Sequence, residues 1–137
     1  MKTVYIIRGL PGSGKSTIAE HFKFIANQSN ISFEWIETDK SFIQQNGDYV
    51  FDKAKLHSAH QYWMARFKKS VNLGVDMIVV SNTSTRKWEF EEYMKYAEDN
   101  GYIVHVMIAE NYHKSKNLHG VPDEKIEQMK KRFEMEL

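Results

Sequence analysis

The stretch Gly9-Leu10-Pro11-Gly12-Ser13-Gly14-Lys15-Ser16-Thr17 restricts what this chain can fold into more than any other. It fits the pattern G-x-x-x-x-G-K-[ST]. Glycines without a Cβ allow positive φ and let backbone approach a ligand closely. Main-chain N–H groups can then turn inward and surround phosphate oxygens. Lys15 offers a point charge between β- and γ-phosphates, and Ser16 offers a hydroxyl to Mg²⁺. Gly9, Pro11, Gly12, Ser13, Gly14, Lys15, Ser16 and Thr17 together form the expected nucleotide-binding set. Such a loop works only between a buried strand and the first turn of a helix. Both flanks are present. Thr3-Val4-Tyr5-Ile6-Ile7 is a β-branched and aromatic run, and Ser16 to Gln28 carries Ile18, Phe22, Ile25 and Ala26 on one helical face.

The rest of the chain continues the alternation. Ile31 to Glu37 reads as a second strand ending at Thr38-Asp39-Lys40. After the turn signal Asn46-Gly47-Asp48, a helix is expected from Asp52 to Leu73, with Leu56, His60, Trp63, Phe67 and Val71 on its apolar face and Gly74 at its stop. Asp76 to Val80 is a nearly continuous apolar strand, which places it centrally. Ser81-Asn82-Thr83-Ser84-Thr85 leaves its carboxyl end. A helix from Arg86 to Asn100 presents Phe90, Tyr93, Met94 and Ala97, and Tyr102 to Ile108 forms the fourth strand. A polar segment, 109–120, holds Lys114 and Lys116. Pro122 and Asp123 suit the start of a last helix, with Ile126, Met129 and Phe133 facing inward. This order predicts one α/β domain over 1–137, with a mainly parallel sheet of four or five strands and helices on both faces.

In such sheets ligands bind beyond the carboxyl ends of the strands. The glycine loop, Asp39, the Ser81–Thr85 segment and the Lys114–Lys116 segment all fall on that edge. A carboxylate at Asp39 could take the proton from an acceptor hydroxyl, or it could simply cap a helix. Glu37 ranks below it, because alternation turns Glu37 to one face of the strand instead of beyond its tip. Lys114 and Lys116 suit a lid, 109–120, whose cations close over a transferring phosphate, or they are solvated loop lysines. Arg86 is a second candidate anion contact. Arg66, Lys68 and Lys69 read as a solvated helix face. His57 and His60 stand i,i+3, but no third ligand accompanies them and His60 falls on the apolar stripe, so a packing role is expected. His113 and His119 flank the lid.

Composition bounds the alternatives. Net charge is +1, so no global electrostatic case exists for nucleic acid or membrane. There is no cysteine, which excludes disulfides and thiolate chemistry. No apolar run approaches the ~20 residues of a membrane span, and the N-terminus enters a strand without a signal-peptide layout. A cytoplasmic protein is expected, with no membrane association and no obligate protein partner.

The chain resembles the polynucleotide-kinase-like branch of P-loop kinases along nearly its whole length. The likeness rests on Arg8 to Thr17, on Asp39, on Tyr49-Val50-Phe51-Asp52 with Leu56 and Ala59-His60, on Ser81-Asn82-Thr83-Ser84, and on Asn117-Leu118-His119-Gly120-Val121-Pro122. The resemblance implies a three-layer P-loop NTPase fold and ATP with Mg²⁺ as cofactors. It implies Lys15 and Ser16 as their holders and Asp39 as base toward a polynucleotide 5′-hydroxyl, or that of a related nucleotide. Catalysis is then assigned to Lys15, Asp39 and Lys116, nucleotide contact also to Lys114, and metal binding to Ser16; a phage-encoded member would act in the host cytoplasm. Three departures stand out. Ser81 replaces an aspartate that holds Mg²⁺ through water, leaving Ser16 with the phosphates, or Asp39 or Asp76, to substitute; Asp76, ~16 Å away along the strand, is discounted. Lys116 stands where relatives carry arginine, losing the bidentate grip. Phe42 stands where polynucleotide kinases place an arginine for acceptor phosphate. An ATP-binding regulatory module and a small-molecule kinase are the rival expectations.

Overall fold

The computed structural model describes residues 1–42, 45–48, 50–110 and 123–135. Its elements follow in chain order: β1 (Thr3–Arg8), α1 (Lys15–Gln28), β2 (Phe33–Ile36), a 3₁₀ turn (Thr38–Phe42), a second 3₁₀ turn (Lys53–Lys55), α2 (Leu56–Asn72), β3 (Met77–Val80), α3 (Trp88–Asp99), β4 (Ile103–Ile108) and α4 (Asp123–Arg132). The strands form a single parallel sheet in the order β2-β3-β1-β4. Thr3 stands opposite both Met77 and Ile103, and Ile6 opposite both Val80 and Val106. The parallel α/β fold with helices on both faces is therefore as expected.

Alternation along β1 sorts the core into two layers. Val4 and Ile6 pack with Trp63, Phe67 and Val71 of α2 and Phe90, Tyr93 and Ala97 of α3. Ile7 and the half-buried Tyr5 face the other way, against Ile18, Ala19 and Phe22 of α1. β3 is buried at every position, as a strand covered on both faces must be.

Several boundaries move for local reasons. β2 is shorter than expected: Ser32 N–H and Oγ both donate to the Asp76 carboxylate, at 3.0 and 2.9 Å, while Glu37 turns away toward α1. Asp52 accepts from Ala54 N–H at 3.0 Å and starts a 3₁₀ turn, so the long helix begins properly at Leu56. Gly74, at φ +75°, ends it as expected. Ile25 was expected on the buried face of α1 but is exposed; Ala19 and Ala26 line the contact with the sheet.

The histidine expectation is overturned. The buried stripe of α2 runs through Ala59, Trp63, Phe67, Ser70 and Val71. Ala59, whose methyl allows close approach, takes the inward position, and His60 lies on the exposed side. Partial burial lowers the His60 pKa, and the Glu89 and Asp39 carboxylates oppose that shift. No helix among the described residues is long and apolar enough to cross a membrane.

Candidate functional site

The glycine loop joins β1 to α1 as the motif demands. Gly12 and Gly14 take φ +81° and +100°, conformations that side chains with a Cβ resist. Gly14 is also the N-cap of α1, and no side chain caps the helix. The first-turn N–H groups thus remain available to an anion, with the helix dipole behind them. Gly9 is required for space. A Cβ there would overlap Ser13 Oγ and sit 2.9 Å from the Ala109 carbonyl.

Lys15 is buried, and its ammonium donates back to the Leu10 carbonyl at 3.1 Å. Burial lowers its pKa to about 8, with the Asp39 carboxylate, then Glu37, opposing the shift. This predicts a pH dependence. Phosphate oxygens favour the ammonium, so binding above pH about 8 must take up a proton. Affinity for Mg·AMPPNP should be insensitive to this group below that pH and fall by up to ~10-fold per unit above it. Calorimetry in buffers of different ionisation enthalpy would count the proton: none at pH 6.5, approaching one at pH 9. No uptake at pH 9 would refute the assignment.

The most informative contact is one that strand alternation ranked low. Ser16 Oγ donates to Glu37 Oε1 at 3.2 Å, and Glu37 is 4% exposed. Glu37 therefore stands at the hydroxyl expected to hold metal, and Asp39 follows on the 3₁₀ turn, close enough to act on Lys15. The carboxylate beside Ser16 is Glu37 in place of Asp39; Asp76, set aside by its distance, is engaged with Ser32 at the opposite sheet edge. A hydroxyl and a carboxylate suit Mg²⁺, which is commonly held by one or two protein oxygens plus phosphate and water. Among the described residues no group of three or more His, Cys, Asp or Glu gathers, so most of such a shell would come from nucleotide and water.

The segment leaving β3 is a hub. Ser81 Oγ accepts the Trp35 indole N–H at 2.7 Å, and Lys40 Nζ lies 3.6 Å from the centre of that ring. Asn82 Oδ1 accepts the Thr38 N–H at 2.8 Å, fixing the residue before Asp39. Burial pushes the Tyr93 phenol up to about 12, and the polar side chains of Asn82 and Thr38 beside it oppose the shift. Thr83 C=O accepts the Gly9 N–H at 3.2 Å. The Ser81–Thr85 stretch thus couples the glycine loop to the turn bearing Asp39.

Other candidates fall elsewhere. Arg86 pairs with Glu134 at 3.2 Å, so it is engaged away from the loop. Arg66 pairs with Glu34 at 3.0 Å, and Lys68 Nζ lies over Tyr96. Phe42 is 3% exposed and packs on Phe51. Lys114, Lys116, His113 and His119 lie outside the described residues, as do Tyr49 and nearly all of the 109–120 segment. Beside the loop, a cavity of about 560 Å³ is lined by Ser13, Gly14, Thr17, Ile18, Ile108, Ala109 and Glu110.

Human NEDD4-binding protein 2 is 32% identical over 136 residues; the match covers 94% of this chain but only 7% of that protein. Kti12 of Chaetomium thermophilum, solved with ADP-AlF3, superposes with a TM-score of 0.65 at 14% identity, covering 96% of this chain and 80% of that one. The APS kinase CysC of Mycobacterium tuberculosis, solved with AMPPNP and APS, superposes with a TM-score of 0.57 at 20% identity, covering 80% and 62%. These likenesses establish a P-loop kinase-like fold. The AAA domain family model matches residues 4–135, and the chain belongs to that family.

Proposed function

We propose that this protein is an ATP-dependent, Mg²⁺-requiring kinase that moves the γ-phosphoryl group to a hydroxyl, with a polynucleotide 5′-end or a related nucleotide as acceptor. The observation that carries the reading is the convergence of buried Lys15, Ser16 with Glu37, and Asp39 around one glycine loop. The loop amides and Lys15 hold the triphosphate, and the adjoining cavity is large enough for the nucleoside. Ser16 and Glu37 would hold Mg²⁺, which offsets charge on the phosphate oxygens. The acceptor oxygen forms a bond to the γ-phosphorus, the bond to the β-bridging oxygen breaks, and ADP leaves. Asp39 receives the acceptor's proton. Lys114 and Lys116 complete the proposed phosphate contacts. Nucleotide analogues in the solved Kti12 and APS kinase structures are consistent with this reading.

A second reading, a kinase for a small hydroxyl-bearing molecule, is favoured by Phe42. This side chain is buried against Phe51 and offers nothing to an acceptor phosphate. One experiment separates the readings: γ-labelled ATP with 5′-hydroxyl DNA and RNA, nucleosides, and small alcohols. Labelled oligonucleotide supports the first reading, and product confined to small alcohols supports the second. Tight Mg·ATP binding with no product on any acceptor would replace both with a nucleotide-dependent binding module.

A further inference from the structure

Arg8 is the last residue of β1 and immediately precedes Gly9. Its side chain is fully buried. Nε donates to the Ser84 carbonyl at 2.9 Å, and Nη2 donates to the Thr85 and Glu134 carbonyls at 3.2 and 2.6 Å. The guanidinium also lies between two rings, 4.5 Å from the Phe90 centroid and 4.8 Å from that of Phe133. Burial lowers its pKa, and the Glu134 and Glu89 carboxylates oppose the shift. Phe90 belongs to α3, whereas Phe133 and Glu134 follow α4 near the far end of the sequence.

That C-terminal pair grips the same turn that holds the glycine loop. Glu134 N–H donates to the Thr85 carbonyl at 2.6 Å, and its carboxylate accepts from Lys87 N–H at 2.9 Å and from Arg86 Nη1 at 3.2 Å. Arg132 Nε donates to Thr85 Oγ1 at 3.1 Å. Two residues before Thr85, the Thr83 carbonyl accepts the Gly9 N–H. Between them Ser84 is held at φ +48°, a conformation non-glycine residues seldom adopt and one that its neighbours must enforce.

We propose that Phe133-Glu134 is a positioning strap for the phosphate loop, acting through Arg8 and the Thr83–Thr85 turn. It sets nucleotide affinity without touching nucleotide, and it rests on the nucleotide-binding reading above. The physical reason is the cost of burying a guanidinium. A buried charge is tolerated only while its donors and faces are matched. Removing the Phe133 ring uncovers one face of Arg8, and the side chain gains by turning toward water. Gly9 shares a peptide bond with Arg8, and Ser13 Oγ and the Ala109 carbonyl lie where a Gly9 Cβ would stand, so a shift of Gly9 is passed on to the loop. An amide cradle loses its grip on phosphate when displaced by more than about 0.5 Å.

Phe133→Ala in the full chain removes the ring, and Phe133→Tyr restores an aromatic face. Calorimetry with Mg·AMPPNP should show affinity ~10-fold weaker for the alanine variant and within ~2-fold of the parent for tyrosine, a coupling of ordinary allosteric size. Circular dichroism reports whether each variant is folded. Because coupling is reciprocal, saturating nucleotide should slow exchange of the Glu134 amide by a similar factor, while the Tyr102 amide at the opposite edge changes little. A merely structural strap would lower the unfolding midpoint and leave both readouts unmoved. Folded Phe133→Ala binding within twofold of the parent overturns the proposal; so does nucleotide-independent exchange at Glu134 in the parent, which decides the matter if the alanine variant does not fold. A parent that binds no nucleotide removes the underlying reading instead, and the strap with it.

Discussion

Asp39→Asn should reduce phosphoryl transfer by ~10²–10⁴-fold while leaving Mg·ATP affinity within a few-fold of the parent. The substitution keeps shape and hydrogen-bonding reach but removes the proposed site for the acceptor's proton. Its backbone position should persist, because the preceding Thr38 N–H is anchored on Asn82 and the turn is closed by Lys40 N–H donating to the Glu37 carbonyl at 3.1 Å. Single-turnover transfer to whichever acceptor the screen identifies is the measurement, with nucleotide Kd recorded in parallel. Glu37→Gln is the informative contrast. Placed against Ser16, it should raise the Mg²⁺ concentration needed for half-maximal binding and leave the proton-transfer step alone. Transfer at the parental rate by Asp39→Asn would assign the base role elsewhere. A shift in Mg²⁺ requirement for Asp39→Asn but not for Glu37→Gln would exchange the two roles.

Phe67→Ala should cost about 3–5 kcal/mol of folding stability, the usual range for emptying a fully buried aromatic site. Phe67 is wholly buried at the centre of the α2–α3 layer. Its ring meets Tyr93 edge-on at 4.9 Å and 80°, and Tyr96 at 6.5 Å. The cavity opens between α2, α3 and the sheet, where neighbours tied to separate elements cannot easily collapse. Urea unfolding followed by circular dichroism gives the number. Tyr93 also stands beside Asn82 and Thr38, which anchor the turn bearing Asp39, so loosening it should additionally weaken nucleotide binding by a few-fold in protein that remains folded. A loss below about 1 kcal/mol would mean that this layer repacks around the gap.

Much of this architecture was legible because its causes are local. A strand, a glycine loop and an amphipathic helix follow one another within the first residues, and each is dictated by neighbours a few positions away. The faces of α3 read correctly as Phe90, Tyr93 and Ala97, since one stripe of a helix meets one sheet. The α2 stripe erred at His60 and missed the buried Ser70. Periodicity alone does not say whether Ala59 or His60 takes the inward place; the closeness of helix to sheet does.

The site divides the same way. The sequence by itself determined the glycine loop, the parallel sheet and the presence of polar groups on one edge, because spacing and periodicity act at short range. Tertiary structure alone decided which groups meet. Glu37 turns to Ser16, 21 residues away; Ser81 is taken by Trp35, 46 residues away; Arg8 reaches Glu134, 126 residues away. Where a side chain points at the end of a strand depends on what the adjoining strand and helix leave open, and that space exists only once the layers have packed.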